Sequence, residues 1–175
     1  MSAPLIIGLT GPAGSGKDTA AAYMERRYSF LPIAFASPLK RALAAMGFEE
    51  PFNRDLKEAT LPDFDFSYRK AAQTLGTEWG RSLDPNLWVK LAMRQIKEPK
   101  PYVFTDVRFD NEAEIIRAAG GRIWHVIGRK ADLGDRASHA SENGVLFYPA
   151  QDELLDNSGN PFQLYNNIDK LLENK

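Results

Sequence analysis

The apolar run Leu5-Ile-Ile-Gly-Leu9 leads straight into Gly11-Pro-Ala-Gly-Ser-Gly-Lys17-Asp18-Thr19, and no other stretch constrains the fold of this chain so tightly. The spacing is that of G-x-x-x-x-G-K-[ST] with one departure, because Asp18 stands where a Ser or Thr hydroxyl ordinarily ligates Mg²⁺ and Thr19 follows it. In such a loop the glycines let successive backbone N–H groups converge on phosphate oxygens, and the lysine reaches the β- and γ-phosphates. It requires a strand before it and a helix after it. The preceding run is strand-like, and residues 19–27 have helix-forming composition without a breaker. The helix N-terminus adds its dipole and free N–H groups to anion binding. Ala13, Gly14, Ser15, Gly16, Lys17, Asp18 and Thr19 are therefore expected to hold a nucleoside triphosphate.

The remaining apolar and polar runs alternate in a way that extends this unit. Residues 32–36 predict a second strand, and residues 39–46 a helix with Ser37 as its cap and Pro38 at its first position. Residues 68–78 and 85–97 predict two further helices, separated by a turn over 80–84 with Asp84 capping the second. Residues 102–105 and 122–127 read as strands, with a helix over 111–119 closed by Gly120-Gly121 between them. A fifth strand is expected at 151–155 and a last helix at 162–172. Strands alternating with helices imply a parallel sheet covered on both faces, with ligands gathered at the carboxyl ends of the strands. Two stretches, 49–66 and 130–149, exceed an ordinary connection and point to functional insertions.

Composition narrows the partners. The 175 residues suit one domain, with 43% hydrophobic content to supply its core. Lys plus Arg number 22 against 23 Asp plus Glu, for a net charge of −1, so no basic field favours nucleic acid or a membrane surface. The chain has no cysteine, which excludes disulfides, thiolate nucleophiles and cysteine-based zinc sites. The first apolar run is too short to span a bilayer and lacks a basic n-region, so a soluble cytoplasmic protein is expected.

Other candidate groups follow the predicted strand ends or lie between helices. Asp106 closes the 102–105 strand in the manner of a Walker B carboxylate that holds Mg²⁺ beside the loop, and Arg108 stands just beyond it. Arg69 and Gln73 are four apart and share a helical face, which suits a phosphate and a base edge, or an ordinary solvated surface. Trp79, Trp88 and Phe66 are suited either to stack on a base or to fill the core. His125, within an apolar strand, reads as a satisfied interior histidine. Arg129, Lys130, Arg136 and His139 populate the segment where a lid closes cations over a transferring phosphoryl group, and the same residues suit a plain charged loop. The turn from Asn157 through Gly159 is placed to offer backbone contacts to adenine.

Taken together these residues resemble the bacteriophage-type deoxynucleoside monophosphate kinases, a branch of the P-loop kinases. The resemblance rests on five blocks in family order. They are Gly14-Ser-Gly-Lys-Asp-Thr19; Phe35-Ala-Ser-Pro-Leu-Lys40; Leu75-Gly-Thr-Glu-Trp-Gly-Arg81 with Asp84-Pro-Asn-Leu-Trp88; Asp106-Val-Arg-Phe-Asp-Asn-Glu112; and His139-Ala-Ser-Glu142. Lys-Asp-Thr is the form of the loop this branch resembles, which accounts for position 18. Residues 49–66 match the pattern least, so base preference is not carried over.

The resemblance implies an α/β fold of the three-layer α/β/α P-loop nucleotide-kinase type: a central parallel five-stranded sheet, a helical monophosphate-binding insertion over about residues 38–98, and a lid over about 129–149. It implies transfer of the γ-phosphoryl of ATP to a deoxynucleoside 5′-monophosphate, with Mg²⁺ among Asp18, Thr19 and Asp106. ATP contacts are expected from residues 13–19, Arg129, Arg136, Asn157 and Gly159. The acceptor is expected at Lys40, Arg69, Gln73, Thr77, Arg81, Trp88, Asp106, Arg108 and Glu112. Lys17, Asp18, Arg108 and Arg129 are the expected catalytic groups. The resemblance also allows a homodimer. The alternatives are another small-molecule P-loop kinase, acting on dephospho-coenzyme A or phosphomevalonate, and a nucleotide-dependent switch or binding module. A nucleic-acid end kinase is disfavoured by the near-neutral charge.

Overall fold

A computed structural model describes residues 4–128 and 145–173, apart from the side chain of Arg54. In chain order the elements are β1 (Ile6–Thr10), α1 (Lys17–Tyr28), β2 (Leu31–Ile33), α2 (Ser37–Ala45), α3 (Arg54–Glu58), α4 (Tyr68–Gln73), a π-helical turn (Thr74–Gly80), α5 (Arg81–Leu83), α6 (Leu87–Met93), β3 (Tyr102–Phe104), α7 (Asp110–Ala118), β4 (Arg122–Ile127), β5 (Asp152–Asp156) and α8 (Pro161–Glu173). They fall into two compact units, Met1–Ala34 with Ile96–Lys175, and Phe35–Gln95.

The first unit carries the five strands, all parallel, in the order β2-β3-β1-β4-β5. All five residues of β1 are buried, as a central strand with helices on both faces demands. Ile7, Leu9, Met24, Val103, Trp124, Leu155, Leu164 and Ile168 form one core that joins β1, α1, β3, β4, β5 and α8. Each such side chain contributes about 1.5–3 kcal/mol by leaving water. Reciprocal bonds cap α8, from the Asn160 amide to Gln163 Oε1 (2.9 Å) and from the Gln163 amide to Asn160 Oδ1 (3.1 Å). The strand expected at 32–36 is shorter and earlier, Leu31–Ile33, and lies at the edge of the sheet, where Pro32 deprives no neighbour of a donor.

The second unit is helical. α2 begins at Ser37 with Ala36 as its cap, one residue earlier than expected, and Pro38 still falls in the first turn. The stretch 49–66 is not wholly irregular, since it contains α3, whose first turn is capped by the Asn53 carboxamide accepting from the Leu56 amide at 2.8 Å. The turn expected at 80–84 is instead helix up to Leu83. Its cause is local: the Trp88 ring lies so close to Gly80 that a Cβ there would come within 2.5 Å of it, and the Trp88 indole N–H donates to the Gly76 carbonyl at 2.7 Å. α6 is shorter than the 85–97 pattern, with Asn86 as its cap. Asp84 acts one step earlier, accepting from the Asn86 amide at 2.8 Å and from Lys90 at 2.5 Å.

Candidate active site

The loop between β1 and α1 leaves the carboxyl end of the central strand and delivers the start of α1 at Lys17. Gly16 takes the left-handed conformation, at φ 102°, that a side chain would strain. The Lys17 ammonium donates to the carbonyls of Gly11 (2.7 Å) and Pro12 (2.8 Å), so it is folded over the loop. Ser15 is fully buried, whereas Ala13, Gly14, Asp18 and Thr19 are exposed. Asp106 stands two residues past β3, and the next residue, Val107, donates its amide to the Leu9 carbonyl of β1 at 3.2 Å. The Walker-B-like position is therefore beside the end of the strand that feeds the loop.

Two residues expected at ligands hold backbone. Glu112, in the first turn of α7, is only 4% exposed, and its Oε2 accepts from the amides of Arg108 (2.8 Å) and Phe109 (3.1 Å). It fixes the loop from which the exposed Arg108 side chain projects. Asn157 is 2% exposed at the end of β5, and its Nδ2 donates to the Ser15 carbonyl at 2.7 Å. Between the turn that follows and α8 lies an open polar pocket of about 320 Å³ lined by Ser158, Gly159, Gln163 and Asn167 among others. Arg129, Lys130, Arg136 and His139 lie outside the described residues.

Among the described residues no cluster of three His, Cys, Asp or Glu forms a metal cage. Asp18, Thr19 and Asp106 offer only oxygen donors, which is the chemistry of Mg²⁺, an ion that retains waters and takes most of its remaining ligands from phosphates. The donor set therefore fits that ion.

The second unit carries Lys40, Arg69, Gln73, Thr77, Arg81 and Trp88. Gln73 and Thr77 are exposed one turn apart, on α4 and the π-helical turn. Arg69 is paired with Glu58, and Lys40 with Glu50 at 3.0 Å. Glu50 also takes Lys57 at 2.5 Å; burial works to raise its carboxyl, but the bonds from Lys57 and Lys40 outweigh this and hold it below the usual range. Trp88 is 8% exposed and packed against Gly80, while Trp79 is 52% exposed. Phe66 belongs to an aromatic cluster with Phe48 (5.7 Å between centroids) and Phe64 (5.1 Å). That cluster lies in the stretch where the sequence pattern was weakest, and only the recurrence of phenylalanine there signalled it.

His125 is an interior group as expected, its Nε2 set 3.2 Å from Asp152 Oδ2.

A parallel five-stranded sheet in this order, with a phosphate loop after its central strand and helices on both faces, defines a P-loop kinase fold. The shikimate kinase of Bacteroides thetaiotaomicron shares it, at 14% identity and a TM-score of 0.50 over 97% of this chain and 96% of that one. The family model for deoxynucleotide monophosphate kinase matches residues 53–168. A protein of Acanthamoeba polyphaga mimivirus, provisionally named a deoxynucleotide monophosphate kinase, is 30% identical over 97% of both chains. The deoxynucleotide monophosphate kinase of Escherichia phage RB69 is 33% identical over 86% of this chain, which spans 63% of that protein. The chain belongs to the deoxynucleotide monophosphate kinase family.

Proposed function

We propose that the protein transfers the γ-phosphoryl group of ATP to a deoxynucleoside 5′-monophosphate, giving the diphosphate and ADP for DNA precursor synthesis in the cytoplasm. The observation that carries this reading is a phosphate loop with the motif's glycine and lysine spacing, lying outside the matched residues 53–168, on a chain that belongs to this family. A phosphate oxygen of the monophosphate attacks the γ-phosphorus, a new P–O bond forms, and the bond to the β,γ-bridging oxygen breaks, leaving ADP. The chain's work is positioning and charge stabilisation. Lys17 exchanges its two carbonyl partners for β- and γ-phosphate oxygens, and the loop amides hold the same group. Asp18, Thr19 and Asp106 would hold Mg²⁺, which neutralises the triphosphate. The pocket beside Ser158 and Gly159 offers amide and backbone groups to the donor base.

The unit Phe35–Gln95 serves as the acceptor-binding insertion. Within it Arg69, Arg81 and Lys40 bind the acceptor phosphate, and the incoming phosphate displaces Glu58 and Glu50 from their cations; Arg108, on the loop held by Glu112, is a separate candidate for an acceptor contact. Gln73 and Thr77 face the nucleoside, and Trp79 or the Phe48–Phe64–Phe66 cluster suits its base better than the enclosed Trp88 does. A panel of deoxynucleoside and ribonucleoside monophosphates with dephospho-coenzyme A, each with Mg-ATP and read by ADP release, tests the reading. Stimulation by deoxynucleotides is expected. Stimulation by dephospho-coenzyme A alone, or by no acceptor, overturns it.

A further inference from the structure

We propose that Asn157 is a positioning residue for the donor phosphates, holding the peptide between Ser15 and Gly16 in the orientation that turns the Gly16 N–H toward them. Its Nδ2 reaches 2.7 Å from the Ser15 carbonyl across 142 residues of sequence. Both residues are buried, Asn157 at 2% exposed and Ser15 at 0%. A trans peptide is planar, so its C=O and N–H point in opposite directions. Tying the Ser15 oxygen to Asn157 therefore directs the Gly16 N–H away from Asn157.

The flanking groups are bonded, the Ser15 N–H to the Pro12 carbonyl at 3.1 Å and the Gly16 carbonyl to the Ala20 amide at 2.9 Å, while the carbonyl of the peptide itself is held by Asn157. Gly16 sits at φ 102°, and a glycine turns over between left- and right-handed regions at little cost. Turning it over would present a carbonyl oxygen to a phosphate where an amide had been. The contact is also close: a Cβ on residue 16 would lie 2.2 Å from Asn157 Nδ2, so the amide fits only against glycine. Asn157 is itself fixed, since its backbone N–H donates to the Ile127 carbonyl at 2.8 Å where β4 and β5 end side by side. The carboxamide thus joins the ends of two strands to the phosphate loop. In this role it acts through the loop amide.

The inference rests on the donor site proposed above, but not on the identity of the acceptor. Asn157→Ala removes the donor, and Asn157→Asp keeps the shape while setting a carboxylate oxygen against the Ser15 carbonyl. In both, the Kd for ADP measured by calorimetry and the KM for ATP are expected to rise by about tenfold or more, with Asp the more severe. The KM for the monophosphate is expected to stay within about twofold, a split that a general loss of structure would not give. If the Asp variant fails to fold, Asn157→Ser replaces it with the same expectation as Ala. Unchanged ADP affinity in folded variants, or equal losses toward ATP and acceptor, overturns the proposal. A parent protein that binds ADP yet phosphorylates no monophosphate would refute the proposed reaction while the effect of Asn157 on ADP stood, so the two readings fail separately.

Discussion

Replacing Arg117 with Met is the most demanding test of how the sheet unit is held together. The Asp152 side chain is fully enclosed on β5, and Arg117 on α7, with a side chain 7% exposed, supplies its counter-charge. Two bonds join them, Arg117 Nε to Oδ1 at 3.0 Å and Nη2 to Oδ2 at 2.7 Å. The same guanidinium donates to the Leu146 carbonyl at 3.0 Å and lies 4.6 Å above the Tyr148 ring. Met keeps much of the stem volume but leaves a buried carboxylate with, among the described residues, only His125 and the Tyr148 amide. Breaking a buried pair from one side costs about 3–5 kcal/mol, against about 0–1 kcal/mol for an exposed pair. For a chain of this size each kcal/mol shifts Tm by about 2–4 °C, so a drop of about 6–20 °C is expected. Urea denaturation followed by tryptophan fluorescence gives the free energy, and calorimetry gives Tm. The double variant Arg117→Met with Asp152→Asn is expected to regain part of the loss, because neither charge is then stranded. A cost for Arg117→Met below about 1 kcal/mol, the figure for a solvated pair, would refute the reasoning.

Acid should destabilise the same cluster in two stages. Burial holds the His125 imidazole below its ordinary value, although Asp152 pulls the other way, so its contribution is present above about pH 6.5 and is lost as pH falls below that toward the folded value. Burial works to raise Asp152, but bonds from Arg117, Tyr148 and His125 outweigh it and hold its pKa low, so its contribution is lost only below about pH 4. Melting temperatures of the parent and His125→Asn between pH 7 and 5 should therefore differ in slope; parallel curves would count against the assignment. Asp18→Asn should leave stability within about 1 kcal/mol, since the exposed side chain contributes little beyond its place at the start of α1, while turnover falls at least a hundredfold on the order expected for a lost transition-state contact; unchanged turnover would remove Asp18 from the reaction. Glu58→Gln frees Arg69, and steady-state kinetics should show the KM for the monophosphate falling by up to about fivefold; no change or a rise would separate Arg69 from the acceptor. Gly80→Ala drives a methyl into the Trp88 ring and should cost about 1–3 kcal/mol in urea, a near-neutral result contradicting the close approach.

What the sequence made legible was local in origin. The loop after β1 needs glycines, a lysine and flanking periodicities, all within residues 5–27, and β1, β3, β4 and α8 follow from runs nearly as compact. The π-helical turn was hidden because its widened spacing has no hydrophobic period of its own, and what admits it is Trp88 lying against Gly80. Which tryptophan is enclosed was open for the same reason: both stand in amphipathic stretches, and only packing decides it. Arg117, His125 and Asp152 come from three elements, and their union is a property of the sheet order rather than of any one stretch.

Asn157 and Glu112 show a more general reason for the same gap. Motif reading assigns a polar residue in a kinase block to the ligand, because contact with substrate is the simplest use for a polar group near phosphates. A phosphate loop, however, binds with main-chain N–H groups, and the orientation of those groups has to be held by something. In that loop the Asn157 carboxamide donates to the Ser15 carbonyl, and in the loop after β3 the Glu112 carboxylate accepts from the amides of Arg108 and Phe109. Substituting such residues should alter nucleotide affinity without removing any contact to the nucleotide. In Glu112→Gln one carboxamide oxygen can still accept from both amides but carries no charge, so the loop bearing Arg108 is expected to loosen and the KM for the monophosphate to rise while ADP affinity holds. That is the mirror image of the Asn157 variants. If the two families of variants instead lowered ADP and acceptor affinity alike, the idea that each buried group governs one loop would fail.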